Sequence, residues 1–262
     1  MSQLLAGRCA FVTGATHGVG YAIALSLARA GADVVLHGLA CDAQALAARD
    51  ACAACGVNAH LITGDLSGPT TAAVSHVFDL ATNALPDIDL FVSNAGTYAD
   101  VPFLEMTVES FERTWRLNVA SHFFLIQAFA RRWVERQVAG RVLLIGSING
   151  RLAEPTHSAY DTSKGAIEMM VKTLCVELAP LNIRINGLAP GLFVTPLTAS
   201  ALSDPRALQW MQYHTPNGVV PGPEAAGEAA VFLLSDAAHH IHGHMLMVDG
   251  GMSIWQQPDP MT

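Results

Sequence analysis

The pair of side chains best suited to chemistry in this sequence is a phenol and an ammonium four residues apart, in the stretch YDTSKGAIEMM that begins at Tyr160. On a helix, residues i and i+4 lie on one face, so Lys164 would stand beside Tyr160. A free tyrosine has a pKa near ~10, whereas a proton-transfer group works best with a pKa near the working pH. A cation ~4 Å away, worth roughly 4 kcal/mol at an effective dielectric of about 20, would lower that pKa. The spacing indicates a proton donor with its tuning cation; the alternative is two side chains that extend into solvent.

A second stretch, TGATHGVG from Thr13 to Gly20, places three glycines between an apolar run and the helical sequence YAIALSLARAG. Such glycines let the backbone turn tightly and approach a pyrophosphate, and the following helix offers free N–H groups and the positive end of its dipole. The spacing is Gly-x-x-x-Gly-x-Gly rather than the common Gly-x-Gly-x-x-Gly. Because strand, loop and helix follow in the right order, the stretch predicts a dinucleotide site rather than only a tight connection.

Seven short apolar runs of strand length, each followed by a helix-length segment, supply the elements that would position these residues. They are RCAFVT from Arg8, ADVVLH from Ala32, NAHLIT from Asn58, DLFVS from Asp89, RVLLIG from Arg141, IRINGL from Ile183 and HMLMVD from His244. Near-continuous apolar strands alternating with helices are typical of a parallel sheet covered on both faces. The chain has no linker, repeat or low-complexity tract. We therefore expect one α/β domain over residues 1–262, with a Rossmann-like, doubly wound, seven-stranded parallel sheet.

The composition bounds the partners and the compartment. The 262 residues are 51% hydrophobic and 14% charged, with a net charge of −8 and a pI near 5.7, which argues against nucleic acid, whose phosphates need clustered Lys and Arg. The first residues do not follow a signal-peptide pattern. The uncharged window 185–203 contains Gly, Pro and Thr and is interpreted as a loop rather than a membrane span. Five cysteines without framework spacing fit a reducing cytoplasm, where we expect the protein.

Taken in order along the chain, these and further motifs resemble those of the short-chain dehydrogenase/reductase family, in its single-domain form. The resemblance covers essentially the whole sequence and rests on TGATHGVG, SNAG from Ser93, RLNVAS around Asn118, LIGSING around Ser147, YDTSK from Tyr160, APGLFVTP and VDGG. It implies an NAD(P)-dependent oxidoreductase that interconverts a secondary alcohol and a ketone by hydride transfer.

The resemblance implies roles for four catalytic residues. Tyr160 would protonate the carbonyl oxygen as hydride arrives, and Ser147 would hold that oxygen by a hydrogen bond. Lys164 would also hold the nicotinamide ribose hydroxyls, and Asn118 would anchor a water that links the lysine to solvent. The alternatives are structural: a serine that ends a strand, and a buried amide bonded to backbone.

Cofactor contacts follow from the resemblance by position, and one of them bears on the choice of cofactor. The set is Gly14, Thr16, His17, Gly18, Val19, Gly20, Gly38, Leu39, Asp65, Leu66, Asn94, Ala95, Gly96, Tyr160, Lys164, Pro190, Gly191, Phe193 and Thr195. An acid at the end of the second strand would bind the adenosine ribose of NAD and repel a 2′-phosphate, but Gly38 stands there. Leu39 offers no cation, His17 is a candidate partner for the phosphate, and Asp42 could reach back from its loop. The balance favours NADP(H) over NAD(H).

Two other groupings are interpreted as structural. Cys52 and Cys55 have the spacing of a redox or zinc pair, but they lie in an Ala-rich helical stretch without a second pair. The run HHIHGH, His239 to His244, leads into the last strand without a carboxylate or cysteine to complete a shell. We expect no metal site, and we expect these histidines near a subunit interface.

The substrate is expected under a mobile lid from about 192 to 223. Candidate contacts are Asn149, Arg151, Glu154, Leu197, Leu202, Trp210, Met211 and Tyr213. The stretch SINGRLAEP resembles family members acting on polyols and sugar acids, so a polyol, sugar or sugar acid is favoured. The alternatives are a 3-oxoacyl-thioester reductase or a broad carbonyl reductase and, in another class, a cofactor-binding sensor without turnover, which the presence of Ser147, Tyr160 and Lys164 disfavours.

Two predicted helices are apolar over more than one face: one from about Glu109 to Gln137, and one that begins near Tyr160. Such helices bury both sides, one against the sheet and the other against a partner subunit. The resemblance implies a homotetramer, or a dimer, paired through these helices. A charged residue in place of Phe124 or Met170 is expected to break the assembly.

Overall fold

A parallel sheet with helices on both faces forms the centre of the molecule. The computed structural model describes residues 3–196, 198–199 and 201–255. The strands are β1 Cys9–Val12, β2 Asp33–Gly38, β3 Ala59–Thr63, β4 Leu90–Ser93, β5 Arg141–Ile145, β6 Arg184–Pro190 and β7 Met245–Val248. The helices are α1 Gly18–Arg29, α2 Ala43–Ala53, α3 Thr70–Ala84, α4 Val108–Trp115, α5 Ser121–Arg136, α6 Ser158–Leu178, α7 Pro205–Tyr213 and α8 Gly227–Leu234. Each of the seven apolar runs overlaps one strand, which confirms the predicted fold class.

The order of the strands creates a crevice where a ligand can bind. All neighbours are parallel and the order is β3-β2-β1-β4-β5-β6-β7, so the chain reverses its direction of winding between β1 and β4. There Val12 lies opposite Leu36 on one side and Val92 on the other. In doubly wound sheets, ligands bind outside the carboxyl ends of the strands at this switch point.

The core consists of two apolar layers, one on each face of the sheet. On one face, the rings of Phe11, Phe91 and Phe129 pack with centroids 5.0 to 5.7 Å apart. The buried indole of Trp133 donates a hydrogen bond to the carbonyl oxygen of Ile88 at 2.7 Å. The other face is covered by α1, α2 and α8. Burial on both faces explains why the strand sequences are apolar almost throughout.

The predicted long helix is interrupted near its middle by a π turn. Helix α4 passes directly into the π turn Arg116–Ala120 and then into α5, and Gln137 ends the segment in a left-handed conformation with φ 55°. Single π turns inside helices are frequent at functional sites. The sequence predicted the extent of this segment but not the turn, which carries Asn118.

The window 185–203 begins inside β6 and continues as loop and turn in its described part. Within the described residues, no helix is both long and apolar enough to cross a bilayer. The same part of the chain contains no three His, Cys, Asp or Glu side chains grouped so that they could hold a metal ion. Cys52 is buried, and burial raises the pKa of its thiol to about 12, far from that of a reactive thiolate.

Candidate active site

The glycine loop after β1 brings the backbone close to the start of α1. Gly14 and Gly18 have φ values of +62° and +57°, a region that side chains with a Cβ rarely adopt. A Cβ on Gly20 would lie 2.2 Å from the carbonyl oxygen of Gly14, so only glycine fits there. The N-cap residue of α1, His17, makes no side-chain capping bond. The first amides of the helix are therefore available to an anion such as a pyrophosphate.

One cavity of about 410 Å³ collects the predicted cofactor residues. All of the set named above line it: Gly14, Thr16, His17, Gly18, Val19, Gly20, Gly38, Leu39, Asp65, Leu66, Asn94, Ala95, Gly96, Tyr160, Lys164, Pro190, Gly191, Phe193 and Thr195, with Ser147 beside them. These residues come from the carboxyl ends of β1 to β6, from the segments that follow them, and from α6. The shape of the loop and the extent of the cavity fit an extended dinucleotide.

The residues after β4 are tied to the glycine loop. The Asn94 side chain donates hydrogen bonds to the carbonyl oxygens of Thr13 and Gly14, at 2.9 and 3.0 Å. The hydroxyl of Thr13 in turn accepts from the backbone amides of Asn94 and Ala95, at 2.9 and 3.0 Å. This network fixes the two loops on either side of the crevice relative to one another. The geometry of the cavity floor thus depends on side chains as well as on the sheet.

A buried histidine at the end of β2 also supports the glycine loop. His37 accepts a hydrogen bond from the Gly14 amide at Nδ1, 3.3 Å away, so its Nε2 carries the proton and donates to the Gly64 carbonyl at 3.0 Å. Burial lowers the pKa of His37 to about 4, so the ring is neutral at physiological pH. The sequence analysis missed this residue, although a histidine in an otherwise apolar strand was a visible signal.

The end of β2 is shaped against an acidic side chain. A Cβ on Gly38 would lie 2.5 Å from Cγ2 of Thr16, so an aspartate there would require the Thr16 side chain to move. Leu39 follows with 71% of its surface exposed. The expectation that Asp42 could reach back to the cofactor is wrong for this structure. Its carboxylate caps α2 by accepting from the Ala45 amide at 2.8 Å, because the start of a helix leaves amides unpaired.

Tyr160, Ser147 and Lys164 meet at one end of the cavity. The hydroxyl of Ser147 is hydrogen-bonded to the phenol of Tyr160, which lowers its pKa, but burial has the larger effect and raises the pKa to about 12. The ammonium of Lys164 donates to the Ile145 carbonyl at 3.0 Å and lies 5.5 Å from the centroid of the Tyr160 ring. Burial lowers the pKa of Lys164 to about 8.

The expected lowering of the tyrosine pKa by an ammonium ~4 Å away is therefore wrong for this state of the protein. The i, i+4 spacing puts both residues on one face of α6, but the long lysine side chain extends to the end of β5. With its proton in place at neutral pH, the Tyr160 phenol can donate a hydrogen bond.

Asn118 links the π turn to the loop after β4 and to α6. Its amide nitrogen donates to the Thr97 carbonyl at 2.8 Å and to the Ser163 hydroxyl at 3.0 Å, and its oxygen accepts from the Thr97 amide at 2.9 Å. Both amide hydrogens are thus bound to protein. These hydrogens are therefore not available to hold a water for Lys164.

A second buried histidine, also missed by the sequence analysis, lies one turn after Asn118. Nε2 of His122 donates to the carbonyl oxygen of Ala95 at 2.7 Å, on the wall of the cavity. Its Nδ1 has no hydrogen-bond partner among the described residues. Burial lowers the pKa of His122 to about 4, and the charge of Lys164 acts in the same direction. The neutral ring holds the loop that follows β4.

The predicted substrate contacts Asn149, Arg151 and Glu154 do not line this cavity. The side chain of Asn149 donates to Asp161 at 2.9 Å, and Glu154 is exposed beside His157. Arg151 is paired with Glu168 at 2.9 Å. Asn149 and Arg151 are thus engaged with protein groups near the tyrosine.

Two of the substrate contacts predicted farther along the chain are Trp210 and Leu197. Trp210 lies outside the cavity, 46% exposed, with its ring stacked on His214 at 3.8 Å, and its role as a substrate contact stays a prediction. The stacking covers part of the indole with His214, the residue that follows α7. Leu197, also predicted as a contact, lies outside the described residues.

Comparisons with known proteins agree with the geometry. A family model described as enoyl-(acyl carrier protein) reductase matches residues 14–253. The chain belongs to the short-chain dehydrogenase/reductase family. It is 32% identical to L-rhamnose 1-dehydrogenase (NADP(+)) of Thermoplasma acidophilum, over 95% of this chain and 97% of the relative. It is 33% identical to 5-keto-D-gluconate 5-reductase of Escherichia coli K12, over 95% and 97%.

A solved member of this family has the same fold. It is a 3-oxoacyl (acyl-carrier-protein) reductase from Agrobacterium tumefaciens C58 with NADP bound, with a TM-score of 0.87, 31% identity and coverage of 94% of both chains. Together with the sequence relatives, it identifies this short-chain dehydrogenase/reductase as an NAD(P)-dependent oxidoreductase acting on CH–OH groups.

Proposed function

We propose that the protein interconverts a secondary alcohol and a ketone with Tyr160 as the acid/base, on a polyol, sugar or sugar acid. The observation that carries this proposal is the meeting of a hydrogen-bonded Ser147–Tyr160 pair and a buried Lys164 on the cavity built by the glycine loop. Two relatives named for sugar and sugar-acid chemistry support the class of substrate.

The chemistry divides between cofactor and chain. A bound nicotinamide cofactor supplies or accepts the hydride. Tyr160 donates a proton to the carbonyl oxygen during reduction, for which its raised pKa leaves it protonated. Ser147 holds the same oxygen and stabilises the charge that develops on it. Lys164, with a pKa lowered to about 8, holds the ribose hydroxyls and provides the positive charge that the tyrosine needs to lose its proton in the oxidative direction.

NADP(H) is the proposed preference over NAD(H). Gly38 offers no carboxylate to the adenosine ribose, and a Cβ there would meet Thr16. His17 lies on the cavity and can approach a 2′-phosphate. A relative named for NADP(+) and a structure with NADP bound point in the same direction.

Reduction of a 3-oxoacyl thioester is the second candidate, because the solved relative described above carries that name. The two candidates differ in the partner that delivers the substrate. An acyl carrier would require a basic surface near the mouth of the cavity. The fourteen Lys and Arg residues of the chain form no run, so the sugar class remains the first proposal.

The assembly, the lid and the location are further parts of the proposal. We place a homotetramer in the cytoplasm, with residues 192–223 closing over the substrate. Phe124, 44% exposed on α5, and Val176, 77% exposed on α6, support burial of these helices against a partner subunit. The use of Met170 as an interface residue is wrong, because Met170 is 7% exposed within the core of its own chain. One helical step turns Met169, 59% exposed, outward in its place.

The test is a steady-state assay of nicotinamide absorbance at 340 nm with a panel of aldoses, polyols, sugar acids and an oxoacyl thioester. The proposal predicts turnover of at least one member of the sugar classes, with NADP(H) preferred. Turnover confined to the thioester would instead establish the second candidate.

A further inference from the structure

A group of side chains that the cofactor does not use stands around the phenol of Tyr160. The rings of Tyr98 and His157 lie with their centroids 6.0 and 6.2 Å from that of Tyr160, and 5.3 Å from one another, all in edge-to-face arrangements. His157 precedes α6, and Tyr98 lies in the loop after β4. These rings form a wall next to the hydroxyl that transfers the proton.

Carboxylates complete this wall. Nε2 of His157 lies 2.7 Å from Oδ1 of Asp100. Nδ1 of the same ring lies 3.0 Å from Oε2 of Glu154, close enough for an ion pair but out of line for a hydrogen bond. A third carboxylate, that of Asp161, is held by the side chain of Asn149 at 2.9 Å and by the Glu154 amide at 3.0 Å.

The charges that act on the Tyr160 phenol from this side are negative. Asp161 and Glu154 both oppose formation of the phenolate, in addition to the effect of burial. The basic side chain that follows Ser147 most closely, Arg151, is turned to Glu168 and bonded to both of its carboxylate oxygens, at 2.9 and 3.0 Å. The ammonium of Lys164 is directed to the Ile145 carbonyl. The only other ionisable base in the wall, His157, is shared between Asp100 and Glu154, so a substrate carboxylate there would meet more carboxylates than cations.

We propose that the substrate is an uncharged polyhydroxylated compound, an aldose or a polyol, whose hydroxyl groups donate to Asp100 and Glu154 while its C–H face packs on Tyr98 and His157. Carboxylates accept hydrogen bonds strongly and cannot donate them, so they select hydroxyl donors over anions. The proposal rests on the proposed function, since it assigns the substrate class of the same site. Sugar acids and acyl-carrier thioesters are disfavoured.

The reaction balances without any further reactant. The carbon that carries the reacting hydroxyl loses its hydrogen as hydride to NADP⁺. The O–H proton passes to the phenolate form of Tyr160, which has first released its own proton to solvent. The C–O single bond becomes a C=O double bond, giving a lactone from a cyclic aldose or a ketone from a polyol. The substrate is oxidised by two electrons and NADP⁺ is reduced to NADPH.

The test compares kcat/KM for L-rhamnose, D-glucose and D-sorbitol with that for D-gluconate, at saturating NADP⁺ and again at saturating NAD⁺. The variants are Asp100→Asn and Glu154→Gln, whose side chains are 65% and 48% exposed, so the fold does not depend on them. Asp79→Asn, on the exposed surface of α3, removes one charge elsewhere and is the matched control. NADPH binding is measured by fluorescence for every variant.

We expect the wild type to favour at least one neutral compound over gluconate by tenfold or more, an effect on the order of 1.4 kcal/mol. Each variant should lower kcat/KM for the neutral compound, and the ratio of this kcat/KM to that for gluconate should fall about tenfold. Asp79→Asn should change neither this kcat/KM nor this ratio by more than about twofold. The assignment would be overturned if gluconate were turned over as well as the neutral compounds. It would also be overturned if the variants left the ratio of kcat/KM for the neutral compound to that for gluconate unchanged. Turnover of none of these compounds with NADPH binding intact would overturn it too. Loss of NADPH binding by the wild type would overturn the proposed function itself.

Discussion

The ammonium of Lys164 donates a hydrogen bond to the carbonyl oxygen of Ile145 at 3.0 Å, so the buried cation is bonded to the end of β5 rather than to the phenol one turn before it. The two titratable groups of the site are shifted in opposite directions by the same cause. Burial raises the pKa of Tyr160 to about 12 and lowers that of Lys164 to about 8, because each charged form is poorly solvated there. The proposed oxidation of an alcohol requires Tyr160 to lose its proton, and we propose that the charge of Lys164 favours this loss.

Removal of that charge should stop turnover while leaving the fold intact. Lys164→Met is expected to lower kcat by at least about 10²-fold, the lower end of what a positioned proton-transfer system contributes. Lys172→Met, on the same helix and paired with Glu168 at 3.1 Å on the surface, is the control and should change kcat by less than about twofold. The kcat of both variants is measured from the rate of NADPH formation at pH 7 and at pH 9. Activity of Lys164→Met within a few-fold of the wild type would contradict the role.

The two buried histidines should make stability fall as the pH is lowered. Their folded pKa values, about 4, lie below the unfolded value of ~6.5, so the unfolded chain binds more protons between these limits. Stability is complete above pH 6.5 and is lost as the pH falls towards 4. Each histidine should contribute about 2 kcal/mol of this loss between pH 7 and pH 5.

Urea unfolding of His37→Gln and His122→Gln at the two pH values measures this effect. Each variant should show a smaller difference between pH 7 and pH 5 than the wild type, by about 2 kcal/mol, whatever its stability at pH 7. The exposed His240→Gln is the control and should retain the wild-type difference. An unchanged difference in either buried variant would show that its ring is not neutral and buried in solution.

A methyl group at the tightest point of the glycine loop should damage the cofactor site. In Gly20→Ala the new Cβ would meet the Gly14 carbonyl oxygen at 2.2 Å, so the loop must move. We expect NADPH affinity to fall at least about tenfold and the free energy of unfolding to fall by roughly 1–3 kcal/mol. In Gly165→Ala, inside α6, the nearest atom is 3.7 Å away, and stability should be equal or higher. Isothermal titration with NADPH and urea unfolding compare the pair; equal behaviour would contradict the close approach.

A cation at the end of β2 should sharpen the choice of cofactor. Leu39 lines the rim of the cavity and is mostly exposed, so Leu39→Arg places a guanidinium where a 2′-phosphate would lie. We expect the Kd for NADPH to fall about tenfold and that for NADH to stay within about twofold. Leu39→Gln has a similar reach without the charge and should leave both unchanged. An equal gain for NADH would place the phosphate elsewhere.

The sequence predicted what depends on local pattern. The apolar runs located all seven strands, and the motifs named the residues that the switch point between β1 and β4 brings to one cavity. Hydrogen-bond partners that are distant in the sequence could not be predicted from local patterns. The choice of Ile145 by Lys164 depends on the distance between α6 and β5, and the role of His37 depends on Gly64, a residue of another strand end. A helical phase error of one residue separates Met170 from the exposed Met169.

The variant Tyr160→Phe tests whether Tyr160 transfers the proton at a cofactor site built by the glycine loop. NADPH and NADH are titrated against the wild type and the variant by fluorescence, and turnover of an aldose or polyol is measured in parallel. For Tyr160→Phe we expect NADPH affinity within about threefold of the wild type and turnover reduced by at least about 10³-fold. Turnover retained by the variant, or an absence of binding of either cofactor to the wild type, would contradict it.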